Sequence, residues 1–185
     1  MSRLSIFPDQ ATDTGQTAAP LVVSDDAALI HQELMQRGIG FEQWAAPIDL
    51  AGDADEASIL RAYADDVAQV KQRHGFITVD AIRMTPDHPD RVSLRSTFLC
   101  EHTHAEDEVR FFVEGQGLFS LHLKNEVLVV LCERGDLIHV PAGTRHWFDM
   151  GANPGFCALR FFNNAAGWVA DFTDDPIADR FPRLE

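Results

Sequence analysis

At 185 residues the chain is long enough to bury a sizeable core within one domain. Lys and Arg number 15 against 29 Asp and Glu, a formal charge of −14 spread along the chain, which excludes nucleic acid and anionic membrane surfaces as partners because both need basic patches. No apolar run is long enough to span a membrane, the opening MSRLSIFPDQ lacks the apolar stretch of an export signal, and Cys100, Cys132 and Cys157 show no CxxC spacing, so we expect a soluble cytoplasmic monomer with reduced thiols.

Weak alternation over Arg3 to Phe7 and the trio Leu21-Val22-Val23 predict two short strands, separated by a polar loop after Asp9. Ser24 or Asp25 then caps a helix to Arg37, with Leu29, Ile30, Leu34 and Met35 at helical spacing and Gly38 or Gly40 as its stop. Asp53 followed by Glu56 has capping-box spacing. The stripe Ile59, Leu60, Tyr63, Val67 and Val70 predicts a second helix closed by Gly75. From Phe76 the period changes to two. Strand-like pieces follow a Pro-rich turn (85–90) at 92–100, 109–114, 118–123, 127–132, 137–140, 146–149 and 156–162, divided by Gly-, Asn- and Pro-bearing turns. A short helical turn is expected after Gly167. Seven or more short strands at this spacing predict a mainly β protein, an antiparallel sandwich or barrel with the helices packed outside. We read one domain over 1–185 with its barrel core at about 76–165.

The chemistry concentrates in FLCEHTHAEDEVRFFVEGQG, residues 98–117, where His102, His104 and Glu108 fall within seven positions; His146 follows in PAGTRHWFDM. Two histidines at i and i+2 share a face if the segment is extended. Glu108 cannot continue that strand to the same ion, since four extended residues cover about 13 Å and metal bonds are about 2 Å. The chain must therefore turn at Ala105-Glu106-Asp107. Three imidazoles and a carboxylate suit Fe(II), Ni(II), Mn(II), Co(II) or Zn(II), with positions left open on an octahedral ion. His122 and His139 read as hydrogen-bonded sheet residues, although His122 shares parity with Leu118 and Ser120 and an inward position for it is open. Arg110 shares a face with Glu108 and Phe112 in an extended segment; it either points outward or brings a guanidinium to the metal for an anionic substrate. Arg160, in ALRFF, raises the same question. Glu101 is a candidate hydrogen-bond acceptor or base beside a ligand. Phe98, Phe148 and Trp168 are plain core or the walls of an apolar pocket.

HTHAEDEVRFFVEG and GDLIHVPAGTRHWFDM resemble the two motifs of the cupins, with Ser96 where the first usually opens on Gly and Met150 where the second usually ends on Asn. The longer run EHTHAEDEVRFFVEGQGLF, then VPAGTRHWFDMG and GWVADFT, resembles the bacterial acireductone dioxygenases of methionine salvage over nearly the whole chain. The resemblance implies a cupin-type jelly-roll barrel with one metal per chain, Fe(II) or Ni(II), with Co or Mn as further candidates, held by His102, His104, Glu108 and His146. It implies O2-dependent cleavage of 1,2-dihydroxy-3-keto-5-(methylthio)pentene. The iron form gives formate and 2-keto-4-(methylthio)butyrate; the nickel form gives formate, CO and 3-(methylthio)propionate. On this reading Arg110 and Arg160 stabilise the substrate anion, and Phe98, Phe148 and Trp168 take the methylthio tail. The rival readings are another metal-dependent cupin enzyme and a non-enzymatic small-molecule-binding cupin. No helix-turn-helix or basic segment supports a DNA-directed sensor.

Overall fold

The computed structural model describes residues 1–10, 17–163 and 169–185. Its strands are β1 (Arg3–Pro8), β2 (Val22–Ser24), β3 (Gly40–Gln43), β4 (Thr78–Met84), β5 (His102–Thr103), β6 (Glu108–Leu123), β7 (Glu126–Glu133), β8 (Asp136–Val140), β9 (Arg145–Asp149), β10 (Phe156–Phe162) and β11 (Asp171–Phe172). One antiparallel leaf runs β11-β5-β9-β6-β7-β1-β2. The other runs β4-β10-β6-β8-β3, so β6 belongs to both. The helices are α1 (Ala27–Gln36), α2 (Glu56–Ala62), α3 (Ala64–His74) and α4 (Arg91–Phe98), with a 3-10 turn at Pro176–Arg180. Among the described residues no helix is long and apolar enough to cross a membrane.

The sequence predicts two strands either side of Gly115-Gln116-Gly117, but β6 is continuous over 16 residues. Its first half presents Glu108, Arg110 and Phe112 to the interior. Val109, Phe111 and Val113 face outward, into a cluster with Ile59, Tyr63 and Val70 of the α2–α3 region. Against β10 the register then shifts: Ala158 pairs with Phe112 and Cys157 with Glu114, leaving Val113 as an extra residue. Such a bulge bends a strand and reverses which residues face in. Beyond it the odd residues Phe119 and Leu121 face the interior opposite Phe148 and His146, while Leu118, Ser120 and His122 lie on the outer face. Gly115 takes φ +64° at the bend.

The interior is filled from both leaves, by Ile6, Phe41, Phe112, Phe119, Leu128, Ile138 and Phe148 among others, with Ile30 and Leu34 of α1 packed against them. The outer face of the first leaf is covered by Ile177, Ala178 and Phe181 against Trp147 and Leu118. Three layers of apolar contact thus fix the barrel wall that carries the histidines.

Several boundaries depart from the sequence expectation. Asp26 caps α1 by accepting from the Leu29 N–H at 2.8 Å, and Ser24 instead accepts from Asp26. Asp55, not Asp53, caps α2 through Ser58 N–H. The single helix expected to Gly75 breaks at Tyr63, whose ring is buried edge-on to Phe111 at 5.9 Å and whose hydroxyl donates to Ile48 O. Gly75 does end α3 in the left-handed region. The strand expected at 92–100 is helix α4. Leu94 and Phe98, four apart, pack on the core while Val92 is 69% exposed, and Arg95 clamps Asp149 through two hydrogen bonds of 2.7 and 2.9 Å. Helical spacing and that tertiary pair override the local alternation. Strand β3 was not foreseen.

At Gly115 a side chain meets both a strained backbone and a collision of its Cβ with the Gly155 carbonyl. We expect Gly115→Ala to cost about 3 kcal/mol, read as a lower urea midpoint at unchanged slope; a shift within about 0.5 kcal/mol would refute the account of the bend.

Candidate metal centre

Register places the site. His102 of β5 pairs directly with His146 of β9, and His146 pairs with Leu121 of β6, so the two imidazoles stand side by side on the interior face. His104 lies two residues on. The chain then bends at Ala105 and Glu106, as the spacing argument required, and enters β6 at Glu108. The ring centroids are 4.4 Å apart for His102 and His146, 4.9 Å for His102 and His104, and 5.1 Å for His104 and His146. One ligating atom from each of the three lies within 4.8 Å of the others, and all three residues are buried.

Each imidazole is aimed by a backbone carbonyl. The Nδ1 of His102 donates to Cys100 O at 2.8 Å, that of His104 to Val169 O at 2.9 Å and that of His146 to Thr144 O at 2.8 Å. A carbonyl only accepts, so the proton resides on Nδ1 and the Nε2 lone pair is left to face an ion. Glu108 Oε2 lies 2.9 Å from His146 Nε2 and 3.2 Å from His104 Nε2. Three imidazoles and a carboxylate so arranged fit a divalent first-row metal. The two turns that deliver the ligands are laced together: Asp107 accepts from Ala142 N–H at 2.9 Å and bonds His139 at 2.8 Å, and Gly143 N–H donates to His104 O at 2.9 Å.

The electrostatics follow from burial. Burial alone would raise the Glu108 carboxyl, but Arg110, whose Nε is 2.7 Å from Oε1, and the adjacent His104 and His146 hold it well below the usual range. Burial lowers the Arg110 guanidinium and Glu108 opposes that. Its cation also lies over the rings of Phe148 at 4.6 Å and Phe119 at 5.2 Å. Burial, then His146, pushes His102 down to about 4. For His104 burial is outweighed by the Glu108 hydrogen bond and charge, and the group is raised.

The remaining sequence candidates divide. Phe148 is buried beside Arg110, and Phe98 at the end of α4 meets it at 6.3 Å. Arg160 pairs across strands with Arg110 and so shares its face, but Asp80 of β4 clamps its guanidinium at 2.8 and 2.6 Å. Trp168 lies outside the described residues. Glu101 is buried on the other face of the leaf: it bonds His122 at 2.5 Å and Thr173 at 2.6 Å, and His122 pairs with Arg145, whose side chain alternates away from His146. Glu101 therefore does not share the face of the four clustered donors; of the two roles open to it beside His102, acceptor or base, the geometry gives it that of acceptor, from Thr173 Oγ1. Sequence reasoning missed Asp80, although a carboxylate between Val79 and Ala81 in an alternating strand is a visible signal. It also missed the Val169 carbonyl, which no side-chain pattern reveals.

An antiparallel two-leaf barrel with three interior imidazoles and a carboxylate on neighbouring strands is a metal-binding cupin. The chain belongs to the ARD/ARD′ family, whose model matches residues 6–170. Acireductone dioxygenase from Parasynechococcus marenigrum (strain WH8102) is 67% identical over 187 residues, covering all of both chains. The enzymes of the same name from Synechococcus sp. (strain CC9902) and Prochlorococcus marinus (strain MIT 9313) are 64% and 60% identical, each covering 100% of both chains. Among solved structures, acireductone dioxygenase from Bacillus anthracis with a cadmium ion in its active centre superimposes with a TM-score of 0.76 at 27% identity, covering 93% of this chain and 98% of that one.

The depressed His102 group makes a pH prediction. An unfolded histidine takes up its proton near pH 6.5 and the folded one only near 4, so the unfolded state binds more protons between those values and stability falls as pH falls. Metal-free protein should lose about 2 kcal/mol from this group between pH 6.5 and pH 5. Urea midpoints of wild type and His102→Gln at both pH values test it; equal pH slopes would contradict the assignment.

Proposed function

We propose that this protein is a metal-dependent acireductone dioxygenase, with one Fe(II) or Ni(II) per chain held by His102, His104, Glu108 and His146. The observation that carries the ligand assignment is the set of three Nδ1–H···O=C bonds, which leave three Nε2 lone pairs to converge, two of them beside the Glu108 carboxylate. When bound, the metal supplies the positive charge that favours the deprotonated enediol of the substrate and its reaction with O2.

The chain's own side chains do the rest. Arg110 is buried, charged and fixed by Glu108 and two aromatic faces, so its cation is in place before the substrate arrives and needs no reorganisation to stabilise an enediolate. Arg160, one strand away and held by Asp80 on the strand beyond, adds a second guanidinium toward the anionic end. Phe98 and Phe148 offer an apolar wall for the methylthio tail and exclude water from the reacting carbons. With iron the products are formate and 2-keto-4-(methylthio)butyrate, the keto acid that methionine salvage requires. With nickel they are formate, CO and 3-(methylthio)propionate. Cobalt and manganese fit the same donors. Acireductone and O2 are the partners, and the chain works as a cytoplasmic monomer on this reading.

Metal-stripped protein reloaded separately with Fe(II) and Ni(II), then given acireductone and O2, should form the keto acid with iron and CO only with nickel. If neither metal speeds the loss of acireductone over the uncatalysed rate, the function is another one. Glu108→Ala should lower metal affinity about tenfold or more; full occupancy in that variant would remove Glu108 from the ligand set. Arg110→Ala should lower kcat/KM by about a hundredfold with metal content retained, and unchanged kinetics would reject the anion-binding role.

A further inference from the structure

Phe172 is an aromatic side chain 44% exposed in a two-residue edge strand, and neither the metal nor the core accounts for it. Its position is settled by register. Phe172 pairs with His102, His102 with His146, and His146 with Leu121, so the four form one row across β11, β5, β9 and β6. Directly opposed residues of antiparallel strands project to the same face, and Leu121 belongs to the interior cluster. The Phe172 ring therefore stands on the face that carries the metal ligands, edge-on to His102 with centroids 5.8 Å apart, at the open end of the row.

The strand around it is tied to the site at every step. Val169 O receives the His104 Nδ1–H, Thr173 N–H donates to Glu101 O at 3.1 Å, and Thr173 Oγ1 donates to the Glu101 carboxylate. These bonds hold the backbone either side of Phe172 and leave its ring free of polar duty. Exposing an aromatic ring on a ligand-bearing face forgoes the burial that aromatic rings normally obtain, and an apolar group arriving with the substrate would restore it.

We propose that Phe172 is a specificity-determining residue. It stands beside His102 at the open end of the ligand-bearing row and closes on the apolar tail of the acireductone. This rests on the functional reading above. The contact is made by the part of the substrate that does not react, so it sets which acireductone is taken and not which bonds break.

The test compares metal-loaded wild type, Phe172→Ala and Phe172→Leu on two acireductones, one with the methylthioethyl tail and one with a methyl group in its place, with metal content measured on each sample. In Phe172→Ala we expect kcat/KM for the long-tailed substrate to fall about tenfold more than for the short-tailed one, chiefly through KM, at undiminished metal content. Phe172→Leu should recover most of the loss. Equal losses on both substrates, or no loss on either, overturn the proposal while leaving the activity intact. A fall in metal content that explains the kinetics also overturns it, because Phe172 would then be only a cover for His102. Wild type inactive on both substrates with every metal overturns the functional reading itself, and is told apart because no variant is needed to see it.

Discussion

Three peptide carbonyls, those of Cys100, Thr144 and Val169, orient the three imidazoles of the candidate metal centre. A histidine on a barrel wall has two tautomers and two ring flips; only one combination offers Nε2 to an ion in the cavity. Each carbonyl removes that freedom by accepting the Nδ1 proton, and each comes from a different part of the chain: the approach to β5, the turn before β9 and the segment before β11. The rest of the fold can be read as the scaffolding that brings those three peptides within reach of three rings. Short strands, laced turns and the edge pairing of β11 with β5 all hold backbone, and through backbone they hold imidazoles.

The second constraint is the buried pair Glu108 and Arg110. Opposite charges in a dry interior are costly to bury and costly to separate. Here the desolvation of Arg110 is offset by the carboxylate on one side and the faces of Phe119 and Phe148 on the other. Phe148 lies close because Gly117, facing it, has no Cβ: one built there would overlap the ring. A missing side chain on one strand thus makes room for the aromatic face that steadies the cation.

How legible all this was in the sequence depended on whether the signal was local. The ligand spacing, the turn at 105–107 and most strands from β6 onward are written in adjacent residues, and the antiparallel fold followed from them. Helix α4 was misread because Val92 and Leu94 alternate locally, while the decisive partner, Asp149, is 54 residues from Arg95. The face taken by Glu101 was not legible, because adjacency to a candidate ligand leaves open which way a neighbour turns; in extended chain it takes the opposite side. Arg160 was rightly singled out as a strand arginine, yet its partner Asp80 is visible only once β4 lies beside β10. The position left open for His122 was closed by the extra residue at Val113, which no local pattern marks.

That extra residue makes β6 a two-phase strand. Even positions look inward before it and odd positions after it, so the chain counts parity from two origins. Drawing Val113 into regular alternation, with no residue lost, would merge the phases. Phe119 and Leu121 would turn out to the surface, and Ser120 and His122 would be delivered into the cavity, placing a fourth imidazole where the barrel now has aliphatic and aromatic lining. The bulge therefore acts as a frame marker for the second half of the barrel: the extra residue sets which side chains of β6 line the interior beyond it.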